Sequence, residues 1–107
     1  MRFRDEGTTP RSGGDSVAID GVRAGAGLRI TAYQGEQSSG GYTIRIERIT
    51  RAGTELRVHA RFTEPAPGSF NTMALTSPAH TVAVDETADL VVLYDSSGVE
   101  RARARTR

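Results

Sequence analysis

Residues 33–62 read YQGEQSSGGYTIRIERITRAGTELRVHARF, and this stretch decides the fold. Leu56, Val58, Ala60 and Phe62 alternate with Glu55, Arg57, His59 and Arg61. A period of two over eight residues is the pattern of a half-buried strand. On a helix, neighbours two apart point about 200° from each other, so these apolar residues would not share a face. The preceding run alternates in the same way, with Tyr42, Ile44 and Ile46 set against Thr43, Arg45 and Glu47. Tyr42, Ile46 and Ile49 also fit helical spacing, but Ile44 falls off that face and the run is rich in β-branched residues. It also follows Gly40-Gly41 directly, so strand is preferred. Ile49 breaks the parity of Ile46, which predicts either a bulge near Arg48 or an apolar strand end. Arg51-Ala52-Gly53-Thr54 supplies the turn between the strands, with Gly53 suited to a positive φ.

Pairing these strands gives one apolar face and one face carrying Arg45, Glu47, Glu55, Arg57, His59 and Arg61. Each large apolar side chain contributes roughly 1.5–3 kcal/mol on burial. Opposed charged pairs add only about 0.2–1 kcal/mol each. Core burial therefore sets the fold, and the rest of the chain has to cover the apolar face, because an isolated hairpin is marginal.

Outward from the hairpin, residues 1–15 are polar and read as a flexible N-terminal arm. Residues 16–107 read as a single β domain. Ser16 to Ile19 is a short edge strand before a turn at Asp20-Gly21, with a Gly-rich connection from Val22 to Gly27. Leu28, Ile30 and Ala32 alternate with polar neighbours as another strand, followed by a polar loop from Gln34 to Gly41. Thr63 to Ser69 holds Pro65, Pro67 and Gly68 and reads as loop. Phe70 to Leu75 favours a short strand over a helical turn, and Thr76-Ser77-Pro78 turns the chain. His80 to Val84 is a strand with Val82 and Val84 inward. Leu90-Val91-Val92-Leu93-Tyr94, apolar on both parities, is a central strand covered on both faces. Asp95-Ser96-Ser97-Gly98 turns into an edge strand that carries Arg101, Arg103, Arg105 and Arg107 on one face. The expectation is an all-β fold, a small antiparallel β-sandwich or partly open barrel of six to eight short strands.

Composition removes several function classes. The chain has no cysteine, so neither a disulfide nor a thiolate metal site supports it. A net charge of +1 gives no bulk attraction to nucleic acid or acidic membranes. The basic residues are all arginine, which reads as a compositional bias. No apolar run is long enough to cross a bilayer, and the first residues lack the hydrophobic segment of a signal peptide. The chain is therefore expected to be intracellular, or else a mature or truncated form of an exported protein.

Candidate chemistry is sparse. His59 lies between Arg57 and Arg61, which oppose a bound cation, so it reads as part of a solvated face. His80 has Asp85, Glu86 and Asp89 near it in sequence, without zinc or calcium ligand spacing, and reads first as a structural or loop hydrogen-bonding residue. G-x-S-x-G is absent, and Ser38-Ser39-Gly40-Gly41 reads as backbone freedom, not as a nucleophile or a phosphate loop. No catalytic residue, metal or cofactor is assigned. The Arg-rich tail lacks interleaved aromatic residues for base stacking, so nucleic acid is not a predicted partner.

Two motifs, in order, carry a resemblance. Gly35 is followed by Ser39-Gly40-Gly41-Tyr42 and by alternating Ile44 and Ile46. Glu64-Pro65-Ala66-Pro67-Gly68 then leads to Ala74-Leu75-Thr76-Ser77-Pro78-Ala79-His80. Over residues 28–84 the chain resembles the PrcB C-terminal domain family, named for a subunit of a bacterial surface protease complex. Ala79 departs from the aromatic residue usual at that place. The resemblance implies a small exported β domain without an active site of its own, an accessory or binding subunit of a protease in the cell envelope. Its expected contact surface is the pair of loops bearing Gly40, Gly41, Tyr42, Leu75, Thr76, Ser77, Pro78 and His80. A sharper form is a protease inhibitor or regulator, by analogy with immunoglobulin-like inhibitors that place a Gly-Tyr loop in a protease cleft. The competing expectations are a ligand or metal binder using His80 with Asp85 or Glu86, and a structural envelope domain with no specific ligand.

Overall fold

The computed structural model describes residues 1–10, 16–37, 41–66 and 76–107. Its strands are β1 (Arg4–Pro10), β2 (Ala18–Ala24), β3 (Gly27–Tyr33), β4 (Thr43–Ala52), β5 (Glu55–Thr63), β6 (Pro78–Val84), β7 (Leu90–Tyr94) and β8 (Glu100–Arg105). They form two four-stranded sheets, ordered β1-β6-β3-β2 and β4-β5-β7-β8, packed face to face as a β-sandwich. No helix occurs among the described residues, and none is therefore long and apolar enough to cross a membrane.

The β4–β5 hairpin forms where the alternation places it. Leu56, Val58 and Ala60 of β5 are buried, and so are Ile44 and Ile46 of β4. The register shifts between Ile46 and Arg48, a bulge that leaves Glu47 and Arg48 both exposed and returns Ile49 to the core. The broken parity thus resolves as an extra residue in β4. Ala52 pairs with Glu55, leaving Gly53-Thr54 as the loop, with Gly53 at φ 65° in the left-handed region.

β2 corrects the turn expected at Asp20-Gly21. The strand runs straight through both residues and pairs with β3 from Ala18↔Tyr33 to Ala24↔Gly27. Gly21 is needed for close approach of another layer. A Cβ there would sit 3.2 Å from Thr106 Cγ2 and 3.3 Å from Val91 Cγ2.

The polar N-terminus is a second correction. Arg4–Pro10 is an ordered edge strand, antiparallel to β6, and not part of a flexible arm. Its ladder bonds come from the backbone, which composition does not report. Side chains then tie it down: Arg4 to Asp85 at 2.7 Å, Glu6 to Arg29 at 3.2 Å, and Phe3 against the core. Residues 11–15, the rest of the expected arm, lie outside the described residues, as does the strand expected from Phe70 to Leu75. The turn expected at Thr76-Ser77-Pro78 is instead a bridge at Thr76 and the opening residue of β6 at Pro78, a strand position that proline tolerates.

β7 lies between β5 and β8, the central place expected of it. It runs parallel to β5, the one parallel pair among the described strands, the others being antiparallel. The direction follows from topology. After β5 the chain crosses to the other sheet as β6, and β7 re-enters the first sheet along the same direction as β5. Val91 and Leu93 join the core, while Val92 is buried on the outer face with Arg57 and Arg103 beside it in register.

The two open sides of the sandwich differ. On one, backbone bonds cross from sheet to sheet: Arg23 N–H donates to Arg107 O (2.8 Å) and Arg107 N–H to Gly21 O (2.9 Å). On the other, where β4 faces β1 and β6, side chains make the connection. His80 takes the Ile46 N–H at 2.7 Å, and Arg45 reaches Asp5 at 3.2 Å. That second side holds the candidate site.

Candidate protein-binding site

The described ends of the two loops picked out by the sequence motifs lie side by side. Gln37 and Thr76 exchange backbone hydrogen bonds, with Gln37 N–H to Thr76 O at 2.7 Å and Thr76 N–H to Gln37 O at 2.8 Å. Gln34 N–H adds a bond to Pro78 O at 3.0 Å. Residues separated by a long stretch of chain are thereby held in one surface.

Between them and β1 is a cleft of about 220 Å³. Tyr42, Ile44, Pro78 and Ala79 supply apolar wall, and Thr8, Thr43, Thr76 and Ser77 complete the lining. Ser77 Oγ is buried and meets no hydrogen-bond partner among the described residues. A hydroxyl stripped of water without a replacement costs about 1–3 kcal/mol. A mostly apolar concavity edged by an exposed polar residue, here Thr8, is the usual make-up of a binding site.

Of the contact residues named from sequence, Tyr42, Thr76, Ser77 and Pro78 line this cleft. Gly41 adjoins it, exposed and at φ 89°, a conformation that disfavours any side chain. Gly40 and Leu75 lie outside the described residues. Thr8, Ile44 and Ala79 are members that sequence reasoning missed. Ile44 reads as core, and nothing in residues 1–10 shows that β1 runs alongside.

His80 is a correction. It is fully buried and offers no surface to a partner. Because the Ile46 backbone N–H donates to Nδ1 (2.7 Å), that nitrogen carries no proton, and Nε2–H donates to Asp5 Oδ1 at 2.8 Å. The hydrogen bond from His80, and then that from the Gly7 N–H, hold the Asp5 carboxyl below its ordinary 3.8. His80 therefore latches β4 to the opposite sheet. The expected cluster of His80 with Asp85 and Glu86 does not assemble. Asp85 pairs with Arg4 at 2.7 Å and Glu86 with Arg51 at 3.3 Å. Among the described residues no group of three or more His, Asp or Glu side chains is placed to hold a metal.

His59 faces outward, as its parity predicts, but is half-buried and not simply solvated. Its ring stacks on Tyr94 with centroids 5.5 Å apart and planes 20° apart. The Arg-rich last strand is exposed on one face, with Arg101 over the Phe62 ring at 4.7 Å and Arg103 paired to Glu100.

Comparison with known proteins gives one finding. The family model described as PrcB C-terminal matches residues 28–85, more than half of the chain. The matched segment runs from β3 through β6 and holds both loops of the cleft. No curated protein and no solved structure gives a significant match.

Proposed function

The chain belongs to the PrcB C-terminal family, and from that premise we propose that it is a non-enzymatic protein-binding domain of the bacterial cell envelope, an accessory or regulatory subunit of a protease complex. The observation that carries this reading is the cleft, which Tyr42 from one family motif and Thr76, Ser77 and Pro78 from the other line together. Tyr42 forms part of a concave wall. That shape favours receiving an apolar side chain of the partner over inserting a loop into a protease cleft. The non-enzymatic part is supported by His80, whose two ring nitrogens are both engaged and sealed from substrate.

The test is affinity capture from envelope fractions of the source cells, with Gly41→Arg as the blocked variant and with matched circular dichroism to establish folding. A component of a protease complex, identified by mass spectrometry, is expected with the wild type and lost with Gly41→Arg. Equal recovery by both proteins removes the cleft from the reading. Recovery of no specific protein favours the structural domain instead.

A further inference from the structure

A second surface, on the opposite face of β4, carries its own signal and does not depend on the cleft. Without the bulge, alternation from Ile44 and Ile46 would turn residue 48 inward. The extra residue instead places Arg48 outward and directly opposite His59 on β5. A guanidinium directly opposite an imidazole on a sheet makes protonation of that imidazole unfavourable. Arg57 adds to the same field: partial burial first, then Arg48 and Arg57, hold the His59 imidazole below its ordinary 6.5.

The carboxylates in reach are already committed. Glu47 pairs with Arg61 at 3.3 Å and Glu55 with Arg57 at 3.0 Å. Asp95 Oδ1 accepts the Ser97 and Val99 N–H groups (2.9 and 3.1 Å), and its Oδ2 lies 3.4 Å from Arg101. Arg48 has no carboxylate partner among the described residues. It borders an open depression of about 450 Å³ with His59, Arg61, Glu47, Asp95 and Gly98, beside the Tyr94 ring that stacks on the imidazole.

We infer that this face, centred on Arg48 and His59, docks an acidic segment of a protein partner. A carboxylate set between the guanidinium and the imidazole would take two N–H donors from Arg48 in a bidentate pair. It would also favour the charged imidazole, which partial burial, Arg48 and Arg57 disfavour in the free protein. Glu47 and Asp95 share the same rim and the net charge is +1, so the uncommitted positive charge is confined to Arg48, which suits a short acidic segment better than a polyanion that must neutralise many charges in a row.

The experiment uses the full chain with ¹⁵N-labelled histidine, titrated with a short Glu-rich peptide, its Gln-substituted twin and a single-stranded oligonucleotide. The Glu-rich peptide is expected to bind, to raise the His59 titration midpoint and to weaken with added salt, while the twin does not bind. Arg48→Glu is expected to weaken binding by at least about tenfold. Arg105→Glu, another exposed arginine on β8, is expected to leave it unchanged. Equal binding of the twin, an unmoved His59, an unaffected Arg48→Glu variant, or binding of the oligonucleotide in place of the peptide each overturns the proposal.

Discussion

At the scale of single residues, the Asp5–His80–Ile46 chain has consequences that pH and substitution both reach. Because the Asp5 carboxyl is held below 3.8 in the folded chain, its contribution to stability is fully present above that value. It is lost as pH falls through the lower folded value. Urea unfolding followed below pH 4 is expected to show wild-type stability dropping with acid, with a shallower slope for Asp5→Asn. An equal slope would mean that the carboxyl does not carry this dependence. Replacing His80 by Leu keeps the buried volume apolar but leaves the Ile46 N–H unpaired. A loss of about 1–3 kcal/mol is expected at neutral pH. The side chain was legible in part. His80 shares parity with Val82 and Val84, so its inward direction follows from the same alternation. The resemblance set it on the contact surface, and no local pattern reveals that a backbone donor from β4 awaits it.

At the scale of elements, the contrast between β5 and β1 shows what alternation reports. Leu56, Val58 and Ala60 announce a strand because burial of one face stabilises it. β1 has no such face. Its ties run to Asp85, Arg29 and His80, far along the chain, and no reading of residues 1–10 contains them. Deleting residues 1–10 should therefore destabilise the domain by roughly 3 kcal/mol or more, through lost ladder bonds, loss of Phe3 packing and an orphaned His80. A flexible arm would leave the urea midpoint unchanged. The bulge gives an opposite expectation. Deleting Arg48 restores a regular ladder with Ile49 still inward, so stability should change by less than about 1 kcal/mol. Binding of the Glu-rich peptide should disappear with it. A large loss of stability would show that the bulge serves the fold and not a partner.

At the scale of the molecule, the sandwich is sewn by backbone on the side of β2 and Arg107 and by side chains on the side of β1, β4 and β6. The side-chain seam leaves room, and the cleft occupies that room. This explains why the sheet architecture was readable while the site was only half so. Strand periodicity gives layers, and the two loop motifs supply Tyr42 and Ser77, but their meeting depends on which edges face each other. The parallel β5–β7 pair belongs to the same class of fact, since it follows from the crossing of β6 to the other sheet. The central claim is that the cleft receives a partner protein. A photo-crosslinking amino acid placed at Tyr42 in living source cells, with the same group at exposed Val22 on β2 as reference, addresses it directly. The account predicts a discrete adduct with a component of a protease complex from Tyr42 and none from Val22. The same adducts from both positions, or none from Tyr42, would contradict it.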